Sequence, residues 1–489
     1  MTRQRLHSAY NPQKEAERFL DNIQELKEHR PSCIILMGAG EGYIYSELKK
    51  RFTNIKIIRI FYSREIPVNK NLPTGHLDWI PGDTYDLKNF LYHTIEDRDI
   101  PGIVIIEWPA SANIWKKEAT KAKETAIQFI RERTGTILTS IASGRRWFEN
   151  IIRNILFIEK IAAIESWPEE ILILASGPTL EKVLDTPIQH TTIALPSSLC
   201  SLAFRNIKPD AAISTDGNHY AKIHLVHLDP AVPLFAAFTA ALPLKTCKNT
   251  NIIPIAQHTA LETPLTTLLP YPHLNLPPHG TVAGTALQLA INNNTNHILI
   301  AGLDLASYDM QQHSRPHSFD PIWEENTKRI TPLFTKKLIS ILDTTTRITN
   351  TPWRKNRALE TYAGWFSHLT PPAHIKITRI NPSPIEIPAF CNTDTIPSPA
   401  KTKKLRIKQE KTPDSTERKK IAKKYIEEIR ETAREAIKEK KHTEIGLAIG
   451  GKIYYDIQKN SDTTEKTIKA YRQQIDKYIE NIIEKYNLQ

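Results

Sequence analysis

ILILASGPTLEKVL, residues 171–184, carries the reading of the fold. The apolar run at 171–174 suits a strand buried on both faces of a parallel sheet, where alternate side chains meet two covered sides. The strand ILILAS then passes directly into Gly177-Pro178-Thr179-Leu180, a turn whose glycine lets another backbone or a ligand come close. The pattern recurs downstream. TTIALP (191–196), AAISTD (211–216), LFAAF (234–238), IIPIA (252–256) and HILIAGLDL (297–305) read as further strands, with helical segments between several of them, notably 281–292. This alternation predicts a doubly wound sheet joined by right-handed crossovers.

Upstream, IILMG (34–38), IKIIRIF (55–61) and IVIIEW (103–108) are short Ile-rich runs of the same kind. Residues 43–52 suit a crossover helix and 112–133 a longer one. A third helix is expected over 145–164, with apolar positions at Phe148, Ile151, Ile152, Ile155 and Ile158 before Trp167-Pro168 stops it. Residues 320–344 read as helical and HIKITRI (374–380) as a returning strand. The expected fold class is α/β, two Rossmann-like sheet domains followed by a C-terminal helical region. The expected domains are 1–165, 166–380, a basic Pro/Lys linker at 381–415 and a helical hairpin at 416–489.

Composition narrows the function classes. A chain of 489 residues, 40% apolar and 24% charged, has room for about three domains and is neither disordered nor fibrous. Cys33, Cys200, Cys247 and Cys391 lie too far apart for a metal motif or a disulfide framework, which points to a reducing cytoplasm. The N-terminus lacks a secretory pattern, and runs such as IVIIEW fall far short of the ~20 residues of a membrane span. The net charge of +12 is concentrated at 401–424, with 11 Lys/Arg against 3 Asp/Glu. No aromatic residues are interleaved there for base stacking, so a solvated linker is expected and not a nucleic-acid arm.

Several motifs fall at the ends of the expected strands. Ser176, Gly177, Pro178 and Thr179 offer backbone N–H groups and hydroxyls to a phosphate or sugar. Asp216, Gly217 and Asn218 follow a second strand. Gly280-Thr281-Val282-Ala283-Gly284-Thr285 opens a helix, and Gly302-Leu303-Asp304 closes a further strand. Ligands of open α/β sheets bind outside the carboxyl ends of the strands, so these loops predict one shared site. Gly38-Ala39-Gly40-Glu41-Gly42 follows an earlier strand and resembles a nucleotide or S-adenosylmethionine loop. Its third glycine is out of place, and Glu65 follows the next strand four residues late, so tight strand–helix packing is the competing reading. No P-loop or G-x-S-x-G elbow is present.

ILILASGPTLEKVL, DAAISTDGNHYAKIHL and GTVAGTALQLA with HILIAGLDLAS together resemble the motility accessory factor family of flagellin glycosyltransferases. The resemblance covers roughly 170–310. It extends to the archaeal 6-hydroxymethylpterin diphosphokinase and to Rossmann-like bacterial sialyltransferases, which use CMP-linked nine-carbon sugars. It implies a nucleotide loop at Ser176, Gly177 and Pro178, a donor-facing Thr281, and a Gly-x-Asp near the nucleotide at Gly302 and Asp304. Ala194-Leu195-Pro196-Ser197 departs from the sialyltransferases, which have an asparagine there. Their phosphate-steadying tyrosine pair is also missing, although Tyr308 stands near.

Transfer to a hydroxyl needs a base for the acceptor proton, and imidazole suits it with a pKa near 6.5. ASYDMQQHSRPHSFD (306–320), beyond a strand end, supplies His313 and His317 with Arg315 between them as a phosphate partner, in a segment placed to fold over a ligand. His219 and His224 are rivals, and Asp216 with His219 makes at most an incomplete metal pair. The resulting expectation is a cytoplasmic glycosyltransferase with His313 and Asp216 as catalytic groups and no metal. The resemblance implies transfer of a nonulosonic acid-type sugar from a CMP-linked donor to Ser/Thr of flagellin or another flagellar protein. Two alternatives stay open: a Mg²⁺- and ATP-dependent pterin diphosphokinase, and a non-enzymatic flagellar accessory protein.

Overall fold

The computed structural model describes residues 5–28, 31–65, 77–97, 99–367, 369–399, 403–438, 444–459 and 464–488. The chain divides into two compact units, Met1–Gly144 with Glu431–Lys477, and Arg145–Arg430 with Tyr478–Gln489.

The first unit holds a four-stranded parallel sheet of β1 (Cys33–Met37), β2 (Lys56–Ile60), β3 (Asp78–Trp79) and β4 (Ile103–Glu107), in the order β3-β2-β1-β4. Ile34, Leu36, Ile57 and Ile106 join one core with Leu20, Ile44 and Leu48, so the Ile-rich runs are strands because both their faces are covered.

The second unit is built on a larger sheet. Its strands are β5 (Ile161–Ser166), β6 (Glu170–Leu174), β7 (Thr192–Ala194), β8 (Ala211–Ser214), β9 (Leu234–Ala237), β10 (Ile252–Ala256), β11 (Leu274–Asn275) and β12 (His297–Ala301). After β12 come β13 (Ser307–Tyr308), β14 (Thr346–Arg347) and β15 (Trp353–Lys355), which form a small antiparallel sheet of order β13-β15-β14. The chain then returns to the large sheet with β16 (Lys376–Ile380), β17 (Cys391–Thr393) and β18 (Arg406–Glu410). The large sheet runs β17-β16-β12-β6-β7-β8-β9-β10-β5-β18, with β11 beside β10. All its pairs are parallel except β18 with β5. Strand alternation sends Ile171 and Ile173 into one core, with Ile298, Ile300 and Phe366. Leu172 and Leu174 enter the opposite core, with Leu180, Leu199 and Leu299. The α/β class with parallel sheets and C-terminal helices follows from these two layers of burial.

Four details differ from the sequence reading. Residues 112–133 and 145–164 are not separate helices: one helix runs Lys116–Phe157 and continues through Gly144/Arg145, where the units divide, instead of the expected boundary at 165. The apolar spacing that suggested helix up to 164 continues into β5, where Ile161 pairs with Ile252 of β10. The stretch 381–415 is not merely a linker, because it supplies β17 and β18. β18 is an edge strand, RIKQE, mostly exposed and therefore polar, which hid it. Residues 400–402 of that stretch lie outside the described residues. The expected hairpin comprises three helices, Ser415–Lys438, Glu444–Lys459 and Glu465–Lys485, the middle one broken at Gly451 with φ +59°. No helix among the described residues is long and apolar enough to cross a membrane.

Ile173 sits fully buried in the central strand. Ile173→Ala is expected to destabilise the second unit by about 2–5 kcal/mol, read from the shift of its urea-unfolding transition. A loss below about 1 kcal/mol would mean that β6 is not the centre of this core.

Candidate functional site

The strand order of the large sheet reverses at β6. The chain lays β7 to β10 outward on one side of it, then crosses back to place β12 on the other. A crevice opens where two such halves part, outside the carboxyl ends of the strands. The loops after β6 and β12 meet there through backbone bonds, Ala175 N–H to Ala301 O at 2.9 Å and Gly177 N–H to Gly302 O at 2.8 Å. The approach leaves no room for side chains. A Cβ on Gly177 would lie 2.3 Å from Asp304 Oδ2, and Gly302 holds φ +69°.

A cavity of about 550 Å³ lies over this junction. Ser176, Gly177, Asp216, Gly217, Asn218, Gly280, Thr281, Gly302, Asp304 and His313 all line it, as do Leu195, Pro196 and Ser197 from the loop after β7. Pro178 and Thr179 stand behind the wall. Thr179 donates to the Asp304 carboxylate twice, from its backbone N at 2.8 Å and its hydroxyl at 2.6 Å. Asp304 is 2% exposed, and burial pushes its carboxyl up to about 6. It clamps the loop after β6 through both of its oxygens. Beneath it Arg379, from β16, donates to Leu303 O and Ser383 Oγ, both at 2.9 Å. Burial lowers this guanidinium to about 10.

The other walls have their own supports. Asn150 and Asn154, one helical turn apart on Lys116–Phe157, each bridge two loop carbonyls at 2.9 Å: Gly217 and Thr239 for Asn150, Phe238 and Ala240 for Asn154. Asp216 Oδ1 accepts from the backbone and side-chain N–H of Asn218 at 2.8 and 2.9 Å. The Thr281 hydroxyl accepts from Gly284 N at 2.9 Å as the N-cap of helix Val282–Asn292, whose first residues, Val282 and Ala283, line the cavity. Glu262, fully buried beside β10, accepts from Gln257 N at 2.7 Å and Thr259 N at 3.2 Å, and Gln257 and Thr259 also line the wall.

His313 enters from the insertion between β12 and β16. Its Nδ1 lies 3.2 Å from Ser176 Oγ, which accepts from Ser197 Oγ at 2.7 Å. With the ring proton on Nδ1 toward Ser176, the Nε2 lone pair stays available to a substrate. His313 stacks on His317 at 4.4 Å, and His224 meets His317 edge-on at 5.2 Å. Burial, then the neighbouring imidazole of His224, lowers His313 to about 4; burial, then His313 and His224, lower His317 to about 3. Both rings are neutral at pH 7.

Several expectations change. Arg315 is no phosphate partner: it pairs with Glu181 at 3.1 Å, and its own backbone N donates to the same carboxylate at 2.8 Å. Tyr308 lies outside this cavity, against Trp353 at 5.1 Å. His219 is exposed. Asp216 and His219 gain no third ligand, and no group of three His, Cys, Asp or Glu able to hold a metal occurs among the described residues. In the first unit the Gly38-to-Gly42 loop is filled. Tyr62 and Ser111 crowd Gly38, and His7 lies on Gly40 while accepting from Glu41 N at 3.3 Å, which favours the packing role over a cofactor site. Sequence reasoning missed Trp147, Asn150, Asn154 and Glu181. Two asparagines four apart on an otherwise apolar helix face are the signal that would have found two of them.

Residues 145–309 match the family model described as 6-hydroxymethylpterin diphosphokinase MptE-like. An uncharacterized protein of Treponema pallidum (strain Nichols) is 30% identical over 295 residues, 60% of this chain. The chain spans 64% of that relative's length. The fold is similar to that of the MAf glycosyltransferase from Magnetospirillum magneticum AMB-1, with a TM-score of 0.57 at 10% identity over 98% of this chain and 84% of that one.

The lowered pKa of His313 sets a sign for stability. As pH falls, the unfolded chain takes up its proton first, near 6.5. Stability contributed by the neutral ring is thus present above about 6.5 and lost as pH drops toward about 4. Melting temperatures across pH 7 to 4 are expected to fall less steeply for His313→Asn than for the parent. Parallel profiles would place the ring in solvent.

Proposed function

We propose that this chain is a glycosyltransferase that moves a nonulosonic acid-type sugar from a CMP-linked donor to a Ser or Thr hydroxyl of flagellin or another flagellar protein. The observation that carries the reading is the convergence of the loops after β6, β7, β8 and β12, with His313, on one cavity at the strand-order reversal. Its fold likeness to the Magnetospirillum glycosyltransferase supports it.

In the proposed step the acceptor oxygen forms a bond to the anomeric carbon of the sugar. The bond from that carbon to the phosphate oxygen breaks, and CMP leaves with the electron pair. His313 takes the acceptor proton through Nε2. No lysine or arginine lines the cavity among the described residues. The phosphate would therefore be met by hydroxyls and by the N-terminus of helix Val282–Asn292, where the helix dipole is positive. Asp216 Oδ2, with no protein partner among the described residues, is assigned to the ribose hydroxyls of the donor.

The family model's description favours a second reading, diphosphoryl transfer from ATP to a pterin. The Mg²⁺ it requires fits poorly here, since both oxygens of Asp304 are taken by Thr179 and Asp216 is left as a lone carboxylate.

Calorimetry with CMP and an assay of transfer from CMP-sugars test the proposal. His313→Asn is expected to bind CMP within about threefold of the parent while kcat falls about 100-fold or more. Absence of cytidine nucleotide binding, or ATP-dependent diphosphorylation that EDTA abolishes, would overturn it.

A further inference from the structure

A second cavity, of about 600 Å³, adjoins the first and shares His224, Gln312 and His313 with it. Tyr308, Met310, Phe319, Trp323, Phe334 and Ile341 give it an apolar and aromatic part, beside the polar Asp309, Gln311, Asp320, Lys337 and Ser340. The ring stack that begins at His313 continues into it, from His317 to Phe319 at 5.5 Å, with His224 edge-on to Phe319 at 5.0 Å. The imidazole assigned as base therefore stands at the join of two cavities.

We infer that the second cavity holds the acceptor as a polypeptide segment, with an apolar or aromatic side chain next to the hydroxyl that is modified; this rests on the transferase reading of the first cavity. Two observations select a polypeptide. The cavity has no unneutralised cation among its described lining residues, because Lys337 pairs with Asp320 at 2.7 Å and Arg315 with Glu181 at 3.1 Å. A lipid phosphate or other anionic head would meet no countercharge there. Finally, the apolar lining extends past the mouth. Phe334, 72% exposed, lies on helix Leu333–Thr344 with the exposed Leu338, Ile339 and Leu342, and Ile330 before it is 85% exposed. An apolar strip of this extent beside a cavity suits a chain longer than one small molecule.

The probes are fluorescein-labelled nonapeptides with a central Thr flanked by Phe or by Ala, with binding to the full chain read by anisotropy. The Phe peptide is expected to bind about tenfold or more tightly than the Ala peptide, from burial of the ring. Ser340→Trp, at an exposed helix position on the cavity wall, fills the space and is expected to erase that difference. Trp323→Ala provides a second variant, with thermal melting to establish folding of each. Equal affinity of the two peptides for the parent, or an unchanged preference in both folded variants, overturns the inference. So does displacement of the Phe peptide by dodecyl phosphate at lower concentration than by unlabelled peptide, which would assign the cavity to a lipid. CMP binding together with indifference to the flanking residue would sink this inference alone. Peptide preference without any nucleotide binding would sink the transferase reading and leave a polypeptide-docking cavity.

Discussion

The hydrogen bond from Gly177 N–H to Gly302 O joins the two halves of the large sheet at the point where strand order reverses. It forms only because both residues lack a Cβ: a side chain on Gly177 would strike Asp304, and one on Gly302 would strike Ala175 O at 2.8 Å. The Asp304 carboxylate then fastens Thr179 by two bonds, so the turn after β6 is held from the end of β12. Placing a carboxyl there is costly, since burial opposes its ionised form. The two Thr179 donors and the nearby Arg379 offset that cost. Arg379 meanwhile holds Leu303 O, and the hydroxyl of Ser383 donates to Asp304 O, so backbone and side chain of this junction are fixed by one buried group of residues.

The position of His313 descends from the same junction. Ser176 precedes Gly177, its hydroxyl contacts the imidazole and its carbonyl accepts from Ser314 N at 2.7 Å. From the helix that follows the turn, Leu180–Leu184, Glu181 collects the Gln311 amide, the Arg315 backbone N–H and the Arg315 guanidinium on one carboxylate. Partial burial raises the Glu181 carboxyl, but the bonds and charge of Arg315, with the Gln311 amide, outweigh it and lower the carboxyl. Charge-assisted bonds of this kind are stronger than neutral ones, and several on one group fix a loop better than the same number scattered. Residues 311–315 are thereby tied to the same fourteen-residue stretch that sets the centre of the sheet.

Much of this was legible in the chain. β6 and its neighbour β12 announced themselves because parallel strands covered on two faces must be continuously apolar, as ILIL and HILIA are. The loop residues were legible because glycine beside hydroxyls at a strand end has few structural uses other than close approach. β18 and β5 were not, since an edge strand needs an apolar residue on only one face, and its partner continued a helical spacing. The role of Asp304 was also hidden. An aspartate after a glycine turn reads equally as a ligand group or a clamp, and only the placement of Thr179, 125 residues away in sequence, decides. The latch at Glu181 is likewise a pairing between distant segments, with no local pattern to reveal it.

The absence of lysine and arginine from the described lining of the first cavity gives the histidine cluster a further consequence. Three neutral rings packed together depress one another's basicity, and His313 at about 4 is a weak base by itself. On the proposed reading, a donor phosphate would bring a further negative charge into this space, close to His313. An anion close to an imidazole favours the protonated form, so the bound donor would raise the pKa of His313 toward the range in which proton transfer is most effective at neutral pH. The ring would then be a poor base while the cavity is empty and a better one once the donor is in place. A cationic cavity, by shielding the phosphate, would weaken this coupling. The cation-free lining and the buried histidines are thus parts of one electrostatic arrangement, in which the charge that activates the base is carried in by the substrate.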